Sequence, residues 1–384
     1  MRRILPHELA LNEPLPWTLY DQHGNLLLRE GYVLSVGRHM ESLLLRGAYV
    51  REETEEEVAD ATTAVAPPVA AVPKTAHALE PVFARATRLA NSLERLHVDL
   101  LAGHLRQEMR MLVVGMAHVI SQACEQDADA LLAALHTNRS HPYLVVQQLL
   151  GAALTDIVAR EAQTDEATRT AWVCAALTRD VGMVDVQAQL DVQTTALTAE
   201  QTMVVRHHPT DAVAMLEQMG VKDAIWLQVV REHQERCDGT GYPGQLLGTA
   251  ITDGAKLLAA ADSYAAMVTP RANRKAKLPR EALKSLYLGR DTAYDSGWVQ
   301  QVIKSLTMYP PGSIVQLANG ERGVVRARAS EGRGADVWAV WDAVGAALPS
   351  ALPRDTTQAP YAVVQPVDLA ALGPAAQRVA LLWS

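Results

Sequence analysis

For roughly 200 residues, from "RATRLANSLERLHVDLLAGHLRQEMRMLVVGMAHVISQA" to "WVQQVIKSLTMY", apolar residues recur at the three- and four-residue spacing of amphipathic helices. So long a run of one period must bury its stripes against one another, which predicts an all-helical domain over residues 81–308. The texture changes on both sides. Residues 53–80, "ETEEEVADATTAVAPPVAAVPKTAHALE", combine an acidic run with Ala, Pro and Thr, too little apolar surface to offset the entropy of ordering, and are expected to be a linker. Residues 1–52 predict a small α+β domain: a strand, a turn at "DQHGN", a strand, a short helix carrying Met40, Leu43 and Leu44, and a strand after Gly47. From Tyr309 an Asn-Gly turn lies between two short β-branched runs and "DVWAVWDAVG" alternates like a strand, so residues 309–384 are expected to form a small β-rich domain. The fold class is therefore mainly α, a helical bundle flanked by these two small domains.

Apolar runs are short and interrupted, below the roughly 18 consecutive residues that a membrane span needs. Acids and prolines break the opening "MRRILPHELALNEPLP", against a secretory signal. Three widely separated cysteines, Cys124, Cys174 and Cys237, fit reduced thiols better than a disulfide framework. Together these features predict a cytoplasmic protein without a membrane segment. A net charge of -8 argues against a nucleic-acid surface and leaves room for a local basic pocket.

The chemistry lies in polar residues placed where the helical period asks for apolar ones. Asp180 follows Leu177, Ala176 and Val173 by three, four and seven residues, and Asp262 falls midway between Leu258 and Ala266. Both carboxylates should point inward, where an isolated charge is prohibitively costly and needs a cationic partner. His233 ends the stripe of Trp226, Val229 and Val230; His207 and His208 precede Pro209, where a helix start is expected; His141 opens "PYLVVQQLLGAAL". Taken singly, each histidine reads as a core or capping residue, Asp180 as a partner of Arg179, and "DGTGYPG" as a turn. Together, imidazoles and carboxylates on separate helices are the assortment of an oxygen- and nitrogen-ligand metal site in a bundle.

His141, "RDVGM" at 179–183, "HHP" at 207–209, "HQERCDGTGYP" at 233–243 and "AAADSYAAM" around Asp262 stand in the order of the HD-GYP family, which this chain resembles over roughly residues 135–308. The flanking "LYDQHGNLLLREG" and "YPPGSIVQLANGERGVV" resemble modules that accompany the domain in some bacterial members. The resemblance implies an HD-type helical bundle that hydrolyses the second messenger cyclic di-GMP on two or three metal ions, usually iron or manganese. It assigns metal positions to His141, Asp180, His208, His233 and Asp262, phosphate contacts to Arg271 and Arg274 in "TPRANRKA", and a ligand or partner-protein contact to Tyr242. "RANRKAK" reads equally as a solvated basic face, and Asn273 stands where the family has tyrosine.

Elsewhere the chain departs from the family. Arg179 replaces the histidine of the His-Asp pair, Met183 a lysine, Gln234 the second histidine of a His-His-Glu triplet, and Thr137 a glutamate. A guanidinium about 4 Å from a divalent ion is repelled by roughly 8 kcal/mol at an effective dielectric near 20. Metal occupancy should therefore fall, with Arg179 neutralising Asp180 and Asp262 in the ion's place. The leading expectation is a cyclic di-GMP signalling protein with a catalytically silent domain, without metal or with reduced metal, acting as receptor or protein-interaction module through its GYP loop. The alternative is an active phosphodiesterase on a reduced metal site. The amphipathic stretch from Leu89 to Met116 is also compatible with self-association.

Overall fold

The structure is a computed structural model and describes residues 2–4, 17–20, 26–28, 30, 48–50, 80–271, 274–329, 334–369, 379 and 381–383. The chain divides into two compact units, Met1–Glu80 and Pro81–Ser384. In the first, β1 (Arg2–Ile4), β2 (Leu19–Tyr20), β3 (Leu26–Leu28) and β4 (Ala48–Val50) form an antiparallel sheet in the order β1-β4-β2-β3. The strands expected there are present, whereas the "DQHGN" turn, the helix with Met40, Leu43 and Leu44, and all of the 53–80 linker except Glu80 lie outside the described residues.

The second unit is mostly helical, as the periodicity requires: α1 (Val82–Leu101), α2 (Gln107–Thr137), α3 (Tyr143–Glu161), α4 (Glu166–Thr178), α5 (Val184–Val192), α6 (Ala199–Gln218), α7 (Ala224–Glu232), α8 (Asp253–Val268), α9 (Pro279–Leu288) and α10 (Ser296–Leu306). At Asp127 the backbone of α2 is extended, and the Asp127 carboxylate recaps the following turn by accepting from the Ala130 amide at 2.8 Å. At the centre is α3, buried at every residue from Tyr143 to Ala159 and packed on α2, α4 and α8. The stripes of α1 and α2 are buried within this same core, leaving Val98 and Leu101 as the large apolar residues that α1 exposes.

Caps written in the sequence set several boundaries. Asp165, Asp223 and Asp295 accept from the third residue of α4, α7 and α10, and Thr198 and Gln201 form a reciprocal capping box on α6. Gly254 lets α8 lie directly on Trp172, whose ring a Cβ would strike. This close approach fixes where Asp262, two turns later, enters the core.

After α10 the strands β5 (Ile314–Leu317), β6 (Arg322–Ala327), β7 (Asp336–Trp341), β8 (Ala347–Asp355) and β9 (Val363–Val367) make one antiparallel sheet in the order β8-β7-β6-β5-β9. The Asn-Gly turn falls between β5 and β6, with Gly320 at φ +90°. Ion pairs tie this sheet to the helices: Arg328 meets Asp129 at 2.6 Å and Glu161 at 3.2 Å and donates to the Ser305 carbonyl. The mainly α class, with small antiparallel sheets at either end, is thus the observed one.

His136, at the end of α2, joins the two layers through Nδ1 and the Pro311 carbonyl at 3.0 Å, and through Nε2 and the Tyr264 hydroxyl at 3.0 Å. Burial lowers its pKa from 6.5 to about 4. Between these values the unfolded chain takes up a proton that the folded protein refuses, so stability present above pH 6.5 is lost as pH falls toward 4. In urea unfolding, that acid loss should be smaller in His136→Gln than in the wild type, by up to about 3 kcal/mol at pH 4.

Candidate metal and ligand site

Two helix carbonyls aim the two histidines. Pro209 lies inside α6, where it has no N–H to give the Val205 carbonyl four residues back. His208 fills the gap: its Nδ1 donates to that oxygen at 2.7 Å. His233 sits just beyond the last residue of α7, and its Nδ1 donates to the Val230 carbonyl at 2.6 Å, one of the acceptors every helix end leaves open. With both Nδ1 protons committed, both Nε2 atoms are lone-pair acceptors, and they face each other at 3.1 Å. The "HHP" segment is therefore not a helix start; the helix runs through it because the side chain of His208 serves the carbonyl that Pro209 leaves free.

Asp180 follows α4 and begins a tight turn, Val181–Met183, that lies on the backbone of α6. Gly182 permits this, since a Cβ there would stand 2.6 Å from the His208 carbonyl oxygen. The turn brings Asp180 Oδ1 to 3.6 Å from His208 Nε2 and 3.9 Å from His233 Nε2. Among the described residues, these three form the one group of side chains able to hold a metal ion, all buried. Burial, with His208 as a lesser cause, lowers the His233 pKa to about 3, so the ring is neutral. Two converging Nε2 atoms beside a carboxylate, each with its Nδ1 turned to a backbone carbonyl, make a donor set that fits one divalent ion. Such an ion, when bound, supplies Lewis acidity and an activated water.

At Asp262 a protein cation is already in place. Arg179, fully buried, donates Nη2 and Nε to Asp262 Oδ1 at 2.6 and 3.1 Å, and Nη1 to the Ala176 carbonyl. Its Nε lies 3.2 Å from Asp180 Oδ2, too misaligned for a hydrogen bond, which leaves that oxygen without one. Burial opposes its charge, but Asp262 and Asp180 outweigh burial and hold its pKa above the ordinary value. Gly151 of α3 gives the guanidinium a flat wall, and Gln147 of α3 donates to Asp262 Oδ1. Asp262 is thus already paired with a protein cation. One guanidinium against two carboxylates leaves one uncompensated negative charge, which one divalent ion reverses and two would swamp.

Of the other residues singled out in the sequence, Met183, Gln234, Tyr242 and Arg271 line a cleft of about 410 Å³ together with Asp180, His208 and Asp262. Arg271 donates Nη2 to the Tyr143 hydroxyl at 2.6 Å. Arg274 turns instead to the Ala266 carbonyl and is outside the cleft lining, and Asn273 is outside the described residues. Tyr242 sets its ring edge-on to His208 with centroids 6.2 Å apart, and burial raises its pKa. Its loop is held from beneath by Glu235, whose carboxylate accepts from the Gly244 and Leu246 amides, while a Cβ at Gly241 would collide with the backbone of Glu235 and Arg236.

His141 is not brought to this group. It precedes α3, where the chain has no inward helical phase, and bonds Asn138 and the Asn91 carboxamide oxygen, the latter at 3.1 Å. Thr137 likewise turns to its own helix, donating to the Ala133 carbonyl at 2.7 Å. The position on α3 that does reach Asp262 is Gln147, which sequence reasoning missed. The available signal was a pair of amides, Gln147 and Gln148, within the otherwise apolar first three turns of the helix.

Residues 109–297 match the family model described as "HD domain". This segment, just under half of the chain, is therefore similar to an HD domain. Two curated relatives are named as enzymes: cyclic di-GMP phosphodiesterase PA4108 of Pseudomonas aeruginosa, 29% identical over 54% of this chain and 50% of the relative, and cyclic di-GMP phosphodiesterase PdeB of Borreliella burgdorferi, 23% identical over 46% of each. The chain spans about half the length of these relatives. A solved structure described as "Bd1817, a HDG"Y"P protein from Bdellovibrio bacteriovorus" shares the fold, with a TM-score of 0.50 at 16% identity over 79% of this chain and 98% of that one.

Removing a partner from a buried ion pair costs about 3–5 kcal/mol because the other charge is left uncompensated. Arg179→Ala is expected to lose that much stability in urea unfolding with a chelator present. Added Mn²⁺ should recover part of the loss in the variant, since Asp262 is then free to accept an ion.

Proposed function

We propose that this chain is a cyclic di-GMP signalling protein whose HD domain binds its ligand without hydrolysing it at a useful rate, serving as receptor and as a surface for signalling proteins at the Tyr242 loop. The observation that carries the reading is the buried Arg179 guanidinium between Asp180 and Asp262. Hydrolysis of a phosphodiester by a two-ion mechanism needs ions to activate water and to stabilise the phosphoryl oxygens. Here one of the two places is taken by a protein cation that can hold no water. Met183 also brings no positive charge to its part of the cleft wall, where the family resemblance implies a lysine. The relatives' printed activities support the ligand class, and Arg271 supplies the cleft with a guanidinium for a phosphate.

A second reading, an active phosphodiesterase on a one-ion site, is favoured by the converging Nε2 atoms of His208 and His233 beside Asp180. Iron or manganese is the ion that reading would take. A cytoplasmic setting belongs to both readings, supported by three free cysteines and by the lack of any helix among the described residues long and apolar enough to cross a membrane.

Calorimetry with cyclic di-GMP and with linear di-GMP, alongside a turnover assay supplemented with Mn²⁺ or Fe²⁺, separates the readings. Binding without product formation, weakened about tenfold or more in Arg271→Ala, is the expected outcome. Product formation favours the enzyme. No heat at tens of micromolar protein removes the receptor role.

A further inference from the structure

The guanidinium in the cleft wall is held at both ends. Arg271 lies beyond α8 in a short loop that closes on itself: its amide donates to the Arg274 carbonyl at 3.0 Å, and its carbonyl accepts from the Arg274 amide at 3.2 Å. Arg274 fastens this loop to α8 by donating Nη2 to the Ala266 carbonyl. The base of the Arg271 side chain is thereby fixed, and Tyr143 fixes its tip. Arg271 Nη2 donates to the Tyr143 hydroxyl at 2.6 Å, and Cζ stands 4.2 Å from the centroid of the same ring, so a hydrogen bond and the π face act together. The ring is itself anchored, buried with Leu144 and Val184 where α3 begins. One turn further along α3, Gln147 reaches Asp262, so one face of this helix holds two of the charged groups of the cleft.

The chemistry of the partner matters. Arg179 is enclosed, and its charge is met by Asp262 and Asp180. Arg271 is steadied instead by a neutral phenol, and among the described residues it makes no ion pair. A carboxylate in the place of Tyr143 would orient the guanidinium equally well but would cancel the charge an anion needs. A long side chain that must be ordered at the moment of binding also weakens the complex, whereas one ordered during folding does not. We propose that Tyr143 is a positioning residue for phosphate recognition: it presents the Arg271 guanidinium to the cleft already oriented and with its charge uncancelled, for a phosphodiester group of the ligand. The proposal rests on the reading of this chain as a cyclic di-GMP receptor with Arg271 on a phosphate, and it is independent of whether the bound ligand is hydrolysed.

Ordering one such side chain in advance is worth about 2- to 12-fold in affinity. The test is calorimetric titration of the full chain with cyclic di-GMP, comparing Tyr143→Leu and Tyr143→Phe in the wild-type and Arg271→Ala backgrounds, each checked for its unfolding midpoint. Tyr143→Leu is expected to bind about tenfold more weakly, and Tyr143→Phe, which keeps the ring and loses the hydroxyl, about threefold. In the Arg271→Ala background both losses should vanish, because the group that Tyr143 holds is gone. Wild-type affinity in Tyr143→Leu overturns the proposal, as does a loss that persists undiminished without Arg271, which would mean that the ring acts by itself or through the fold. Should the leucine variant fail to fold, the phenylalanine pair carries the same comparison. A wild type that gives no heat removes the receptor reading, and ligand-free crystal structures then decide the positioning role: a guanidinium seated on Tyr143 in the wild type and released in the variant supports it, and one in the same place in both refutes it.

Discussion

The centre of this protein is organised by one ion pair, the Arg179 guanidinium buried against Asp262 at 2.6 Å and Asp180 at 3.2 Å. Helices α4 and α8 and the turn at 180 converge there, and without a cation the buried Asp180 and the partly buried Asp262 would be left as uncompensated charges. A guanidinium suits the place because it stays charged at every accessible pH and offers a planar fork of donors. Gly151 receives its flat face, and the Ala176 carbonyl and Asp262 take its hydrogens. The core thereby obtains internally a charge that an inorganic ion would otherwise have to bring.

The same pair divides the site in two. On one side Asp262 Oδ1 accepts from both Arg179 and Gln147, so a protein cation stands against that carboxylate. On the other, His208 and His233 are aimed by carbonyls that Pro209 and the end of α7 leave free, and their Nε2 atoms converge with Asp180 on a place for one ion. The cleft above keeps Arg271 and Tyr242, groups suited to holding a phosphorylated ligand and presenting a loop. In the proposed reading, recognition draws on the cleft wall whereas hydrolysis would draw on ions beneath it.

Much of this was legible from the sequence, and the gaps have physical causes. Helical period alone placed Asp180, Asp262 and His233 on inward stripes, and the change of pattern near Tyr309 marked the onset of strands. His208 was found but misplaced in its helix, because proline is ordinarily a sign of a first turn and only the side chain of its neighbour explains its place within α6. His141 was assigned a metal position by the family resemblance, whereas Gln147 went unremarked, because an amide within a largely apolar helix advertises nothing until its neighbours are known. The role of Gly182, whose lack of a side chain lets the 180 turn rest on α6, is likewise a tertiary fact with no signature beyond the glycine itself.

The most direct measurement of the central claim is anomalous diffraction from crystals of the wild-type chain equilibrated with excess Mn²⁺. The expected map shows the Arg179 guanidinium between Asp180 and Asp262, with at most one ion, confined to the side of Asp180 that faces His208 and His233. An ion bridging Asp180 and Asp262, with the guanidinium displaced from between them, would contradict it.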